Sequence, residues 1–148
     1  MGLIRYTRNH EWIEVEGDIG VVGVTERWIA ERGEIDYIDL PEVGEEYEKD
    51  EPVARVESIE GKEYHILAPV TGEIVEVNKA LEEDLDLVNR SPEGDGWIFK
   101  IKIEMRRELK SLMKLEEYQE YEEEEELREF DIIELGEEEF EEEEEELF

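Results

Sequence analysis

Forty-eight acidic residues, two histidines and no cysteine bound the chemistry this chain can do. Without cysteine there is no disulfide, no thiolate nucleophile and no thiolate metal ligand. His10 and His65 lie far apart in the sequence, with no cysteine beside either. A zinc or catalytic histidine centre needs more convergent ligands than that. His10 is read as a structural or cleft-lining residue and His65 as a strand residue packed across a ladder. Carboxylates are so abundant that an acid–base dyad could be drawn almost anywhere, so none is singled out. The runs Glu122–Glu126 and Glu141–Glu146 offer oxygen atoms but no defined cage for calcium. Gly94-Asp95-Gly96 precedes a strand instead of opening a helix, the wrong setting for a phosphate loop. The residue types therefore point to no catalytic group and no metal.

The elements that would position any site are mostly strands. Short Val- and Ile-rich segments run over Glu11–Val15, Ile19–Val24, Ile35–Leu40, Val53–Ser58, Tyr64–Leu67, Glu73–Val77 and Trp97–Ile101. Turn residues at Gly17-Asp18, Pro41 to Gly44, Thr71-Gly72 and Gly94 to Gly96 separate them. Many short strands at close spacing predict a sandwich or flattened barrel. Thr25 is placed to cap a short helix over Glu26–Glu31, with Gly33 ending it, and a further helical turn is expected over Ala80–Asp84. From Met105 to Tyr121, Leu109, Leu112, Met113, Leu115 and Tyr118 recur at helical spacing, which predicts an amphipathic helix packed on the sheet. Trp12, Trp28 and Trp97 are expected to be core or half-buried aromatics. Pro41-Glu-Val-Gly44 and Pro69-Val-Thr-Gly72 form a weak echo. Two halves related by a pseudo-twofold would place Ser58–Tyr64 at a hairpin tip.

Charge and length bound the setting. The chain has 148 residues and a formal net charge of −32. Such a surface repels nucleic acid and anionic lipid and favours basic partners. No apolar run approaches the ~20 residues of a membrane helix, and Met1 to Arg8 lacks the apolar stretch of a secretory signal. A cytoplasmic protein is expected. The domain reading is a folded unit over residues 1–121 followed by a Glu-rich tail over 122–148. In that tail self-repulsion outweighs the little apolar surface available, so a flexible, solubilising segment is expected.

Several stretches, taken in order, resemble the glycine cleavage system H protein family. They include Tyr6-Thr-Arg-Asn-His-Glu-Trp12, Val22-Gly-Val-Thr25, Asp39-Leu-Pro-Glu-Val-Gly44, Val56-Glu-Ser-Ile59, Ala68-Pro-Val-Thr-Gly-Glu-Ile-Val75, Leu87-Val-Asn89 and Gly96-Trp-Ile-Phe-Lys-Ile101. The resemblance covers Tyr6 to about Tyr121. It implies a mainly β, lipoyl/biotinyl-type hybrid barrel-sandwich with short helices and a C-terminal amphipathic helix. It implies a carrier, not an enzyme, with lipoate amide-linked to a lysine at a hairpin tip. The implied partners are glycine decarboxylase (P-protein), an aminomethyltransferase (T-protein), dihydrolipoyl dehydrogenase (L-protein) and a lipoate ligase or transferase. Asn89, Glu11 and Ser58 are candidates to line a groove that shelters a loaded arm.

The hairpin departs from the family pattern. Where the family usually reads Glu-Ser-Val-Lys-Ala, this chain reads Glu57-Ser-Ile-Glu-Gly-Lys-Glu-Tyr64. Counted from Glu57, the lysine position holds Glu60; counted back from Ala68-Pro69, the loop is one residue longer. In one reading the turn re-forms around Gly61, which takes a positive backbone angle cheaply, and Lys62 carries lipoate. In the other the modification has been lost and Lys62 is an ordinary surface residue. Lys49 and Lys79 are expected to lie away from the tip. Two alternatives to the glycine cleavage carrier follow from the altered loop. One is a lipoyl carrier of another pathway, such as sulfur-compound oxidation. The other is an unlipoylated interaction module.

Overall fold

In the computed structural model, residues 2–128 are described. The chain divides into one unit ending at Lys114 and a second beginning at Leu115. The first is built from strands β1 (Leu3–Tyr6), β2 (Glu11–Glu16), β3 (Ile19–Val24), β4 (Ile35–Asp39), β5 (Glu46–Tyr47), β6 (Pro52–Ser58), β7 (Glu63–Leu67), β8 (Gly72–Val77) and β9 (Phe99–Ile103). Helix α1 (Glu26–Arg32) follows β3, and the single turns α2 (Ala80–Glu83) and α3 (Leu87–Arg90) lie between β8 and β9. All ladders are antiparallel. They form a six-stranded sheet in the order β1-β2-β3-β9-β8-β5 and a three-stranded sheet in the order β4-β6-β7.

Alternation along the strands puts one face of each sheet into a shared core. Ile13, Val22, Ile74, Phe99 and Ile101 from the larger sheet, and Val56 and Ile66 from the smaller, are fully buried in one cluster. Trp28 of α1 joins them with no exposed surface. The helix is placed as its sequence predicts. Thr25 accepts a hydrogen bond from the Trp28 N–H at 3.2 Å, and Gly33 leaves the helix at φ +94°. The two echoing segments meet: Gly44 donates to the Ile74 carbonyl at 2.8 Å, and β5 pairs β8. An antiparallel ladder is the local arrangement a twofold requires.

Three elements lie outside the sequence expectation. Strands β1 and β5 and the turn α3, of four, two and four residues, are too short to show a period. The segment from Met105 differs more. Its apolar positions are spaced for a helix, yet Arg106–Ser111 is a 3-10 turn and Met113 forms a bridge with Tyr6. Both backbone bonds of that bridge are made, at 2.8 and 2.9 Å. Glu108 is held by the N–H and hydroxyl of Thr71, at 2.7 and 2.9 Å. The bridge takes the Met113 N–H and carbonyl that an α-helix would have used, and the Glu108 carboxylate ties the turn to Thr71. Leu109 and Leu112 still reach the core, so the predicted packing on the sheet holds for this shorter piece.

The second unit begins with a helix over residues 115–128, α4, which runs past Tyr121 through the glutamates to residue 128. The rings of Tyr118 and Tyr121 lie 6.5 Å apart on it. The expected flexible tail, with Phe130, Ile132, Ile133, Leu135, Phe140, Leu147 and Phe148, falls from residue 129 onward outside the described residues.

Candidate functional site

The β6–β7 hairpin reaches past the core to a tip at Ile59-Glu60-Gly61. The Gly61 N–H donates to the Ser58 carbonyl and the Ser58 N–H to the Lys62 carbonyl, both at 2.8 Å. Gly61 sits at φ +85° with no atom within 4 Å of a Cβ built on it. That is a three-residue hairpin loop ending in a left-handed residue.

Ser58 holds the loop closed. It is 3 % exposed, and its Oγ accepts the N–H groups of Glu60 and Lys62, each at 3.3 Å. The Ile59 N–H donates to the Glu34 carbonyl at 2.8 Å and ties the tip to the start of β4. Asn89 fixes β4 in turn: its side chain accepts from the Ile35 N–H at 2.8 Å and donates to the Ile35 carbonyl at 3.0 Å. A chain of backbone-directed bonds thus runs from α3 through β4 to the tip.

Lys62 opposes Ser58 where the loop closes and is exposed. Among the described residues its ammonium makes no hydrogen bond and no ion pair. Strand alternation places it on the side of β7 that carries Tyr64 and Ile66. The Tyr64 ring stands edge-on to Trp28 at 5.8 Å, and the Arg32 guanidinium lies over both rings. Glu60 occupies the apex and is exposed, as is Ile59. The other two lysines weighed lie elsewhere. Lys49 precedes β6 and approaches Asp50 at 3.4 Å, and Lys79 precedes α2. A free, exposed amine on a pinned loop fits a prosthetic group attached through an amide.

Two of the three groove candidates share a neighbourhood, since Asn89 binds the backbone of Ile35, the residue paired with Ser58, whereas Glu11 lies apart. Ser58 and Asn89 act on the backbone as described. Glu11 is 1 % exposed and joins the two sheets. Its carboxylate accepts from Thr7 Oγ1 at 2.7 Å, Asn9 Nδ2 at 2.6 Å and the Leu67 N–H at 2.8 Å. Asn9 in turn accepts from Arg32 at 2.9 Å. Burial pushes the Glu11 carboxyl above its usual range; these donors and the Arg32 charge oppose that only in part. Glu11 lines a cavity of about 250 Å³ with Asn9 and Lys49, which neither Ser58 nor Asn89 shares.

The histidines part as well. His10 is 1 % exposed, in a left-handed conformation (φ +70°), with Nε2 3.6 Å from Glu31. His65 is an exposed residue of β7, 3.7 Å from Glu63. Trp12 and Trp28 are buried and Trp97 is half-buried. The roles of Ser58, Glu11 and Asn89 as fasteners were not read from the sequence. Each depends on a backbone group brought alongside by folding.

Residues 4–125 match the sequence model described as Glycine cleavage H-protein. The glycine cleavage system H protein of Thermotoga maritima is 42 % identical over 113 residues, covering 76 % of this chain and 90 % of that protein. That of Thermus thermophilus is 48 % identical over 111 residues, covering 75 % and 86 %. Among solved structures, a glycine cleavage system H protein from Mycobacterium marinum superposes with a TM-score of 0.71 at 31 % identity, covering 80 % of this chain and 94 % of that one.

Proposed function

The chain belongs to the glycine cleavage H-protein family, and from that premise we propose that Lys62 is the residue to which its lipoate is attached. The chain is thereby a lipoyl carrier of the glycine cleavage system. The observation that supports Lys62 is the state of its amine, exposed and unpartnered beside a hairpin loop whose other groups are pinned. When bound, lipoate supplies a pair of thiol sulfurs that accept a group and undergo oxidation and reduction.

The protein's own residues supply position. The Nζ of Lys62 would attack the carbonyl of an activated lipoyl group, the activating group leaving and the amine giving up a proton as the amide forms, and the four-carbon lysine stem lengthens the arm. Ser58, Gly61 and the Ile59–Glu34 bond keep the loop in one shape for a ligase to recognise. Glu60 at the apex replaces the usual amine with a group that cannot form the amide. Tethering makes each delivery a local encounter, at effective concentrations on the order of mM for a short flexible tether. This reading assigns the protein no catalytic group. Its proposed partners are the glycine decarboxylase, the aminomethyltransferase, dihydrolipoyl dehydrogenase and a lipoate ligase or transferase. Its proposed setting is cytoplasmic, and the glutamate-rich C-terminal segment is proposed as a solubilising extension of the carrier unit.

The test is the intact mass of protein purified from its native host, with peptide mapping across residues 56–67. A lipoyl addition confined to Lys62, lost in Lys62→Arg and retained in Lys49→Arg and Lys79→Arg, is expected. Lipoate on another lysine, or an unmodified peptide, would overturn the assignment.

A further inference from the structure

A groove lies between the edge strand β4 and the helical turn α2, with a volume of about 550 Å³. Its floor is apolar: Tyr37 and Leu40 from the β4 side, Val77 from the end of β8, and Leu81 and Leu85 from α2 and the residues after it. Strand β4 is the edge of the smaller sheet, so no further strand of that sheet covers it. Tyr37 stays 44 % exposed there, among the larger apolar side chains left on the surface. Arg55 lies over its ring at 5.1 Å.

The rim is acidic. Asp39, Glu42 and Glu82 border the groove, and none of the three carboxylates has an ion pair or hydrogen bond among the described residues. Of the cations close in sequence to the groove, Lys79, just before α2, is exposed and makes no ion pair among the described residues, and two arginines are already engaged. Arg90 is paired with Asp84 and Asp86, and Arg55 with Glu57 and Glu63. The groove thus combines an apolar floor with three unpaired carboxylates, which Lys79 alone does not balance, and further cations from a partner would complement them.

We propose that this groove docks a partner-protein segment bearing apolar side chains flanked by lysine or arginine. The apolar side chains displace water from Leu40, Val77, Leu81 and Leu85, while the cations meet the rim. The groove is set back from the hairpin tip. Asp39 pairs with Arg55, three residues before Ser58, which is about 10 Å along the strand. A partner held there leaves Lys62 free to move. The proposal therefore stands whether or not Lys62 is the attachment residue.

The experiment measures binding of the full chain to the decarboxylase, aminomethyltransferase and dihydrolipoyl dehydrogenase named above, each purified from the same organism. Wild type is compared with Asp39→Asn/Glu42→Gln/Glu82→Gln and with a control of equal charge change, Glu16→Gln/Glu46→Gln/Glu104→Gln. All six positions are exposed, so both variants are expected to fold. For at least one enzyme, the groove variant is expected to bind about tenfold more weakly, with the control within about threefold of wild type. A Tyr37→Lys variant, which alters the floor instead of the rim, should weaken the same enzyme. Equal weakening by groove and control variants, or no weakening for any enzyme, overturns the proposal. The same comparison in a Lys62→Arg background separates this outcome from a failure of the attachment assignment, which the mass measurement reads independently.

Discussion

Burial works against the charge on Glu11, and three donors with a guanidinium beyond them only partly restore it. The folded-state pKa is therefore above the usual value, and the sign of the linkage follows. A raised acid favours the folded state most when protonated, so its contribution is fully present below the unfolded value of 4.5 and is lost as pH rises through the folded value. In Glu11→Gln that slope should vanish. The stability gap between wild type and variant, from urea titrations at a series of pH values, should then move in the variant's favour as pH rises through that window; a gap that stays constant would contradict the assignment. Ser58 bears on function more directly. Ser58→Ala leaves two N–H groups at the tip without their acceptor and should cost about 1 kcal/mol. It should also slow lipoylation by a ligase in vitro, whereas Thr25→Ala, a similar loss at the α1 cap, should lower stability with no change in that rate.

At the scale of elements, two glycines mark where the backbone leaves no choice. Gly61 has open space around it, so Gly61→Ala meets only the left-handed conformation and should cost roughly 1–2 kcal/mol. Because that cost falls in the loop, the lipoylation rate should drop more than global stability. Gly72 is the opposite case. A Cβ there would collide with the Lys102 carbonyl in the β8–β9 ladder, so Gly72→Ala must push two central strands apart. A loss of roughly 3 kcal/mol or more is expected from such a backbone clash. Chemical denaturation separates the two: a clear midpoint shift for Gly72→Ala beside a small one for Gly61→Ala.

For the whole molecule, the governing quantity is the net charge of −32. Self-repulsion at that charge destabilises the compact state and is screened within about 10 Å at 0.1 M salt. Tm should therefore rise by a few degrees between low salt and a few hundred millimolar sodium chloride, as ΔΔG of about 1 kcal/mol would give. Scanning calorimetry reads this, and a flat Tm would mean the charges are too dispersed to matter. Binding at the β4–α2 groove should move the other way, weakening as salt rises, because there opposite charges attract.

Residue types and order determined most of the architecture by themselves. Strands β2, β3, β6 and β8 show in the chain as short Val- and Ile-rich runs between turn residues, because each sends several side chains into the core. Thr25 and Gly33 were legible because a cap acts within four residues of itself. Gly61 beside Lys62 pointed to a re-formed turn for the same reason. What the sequence left open depended on contacts between distant residues. Met113 follows helical spacing but joins a bridge to Tyr6, since paired backbone groups on a neighbouring strand outweigh a marginal local propensity. Glu11, Ser58 and Asn89 looked like groove residues, and only the tertiary structure assigned them to Leu67, Lys62 and Ile35. The Glu11–Leu67 and Asn89–Ile35 bonds join residues more than fifty apart, leave no period behind and come into being only when the strands meet, whereas Ser58 closes the loop onto a residue only four away.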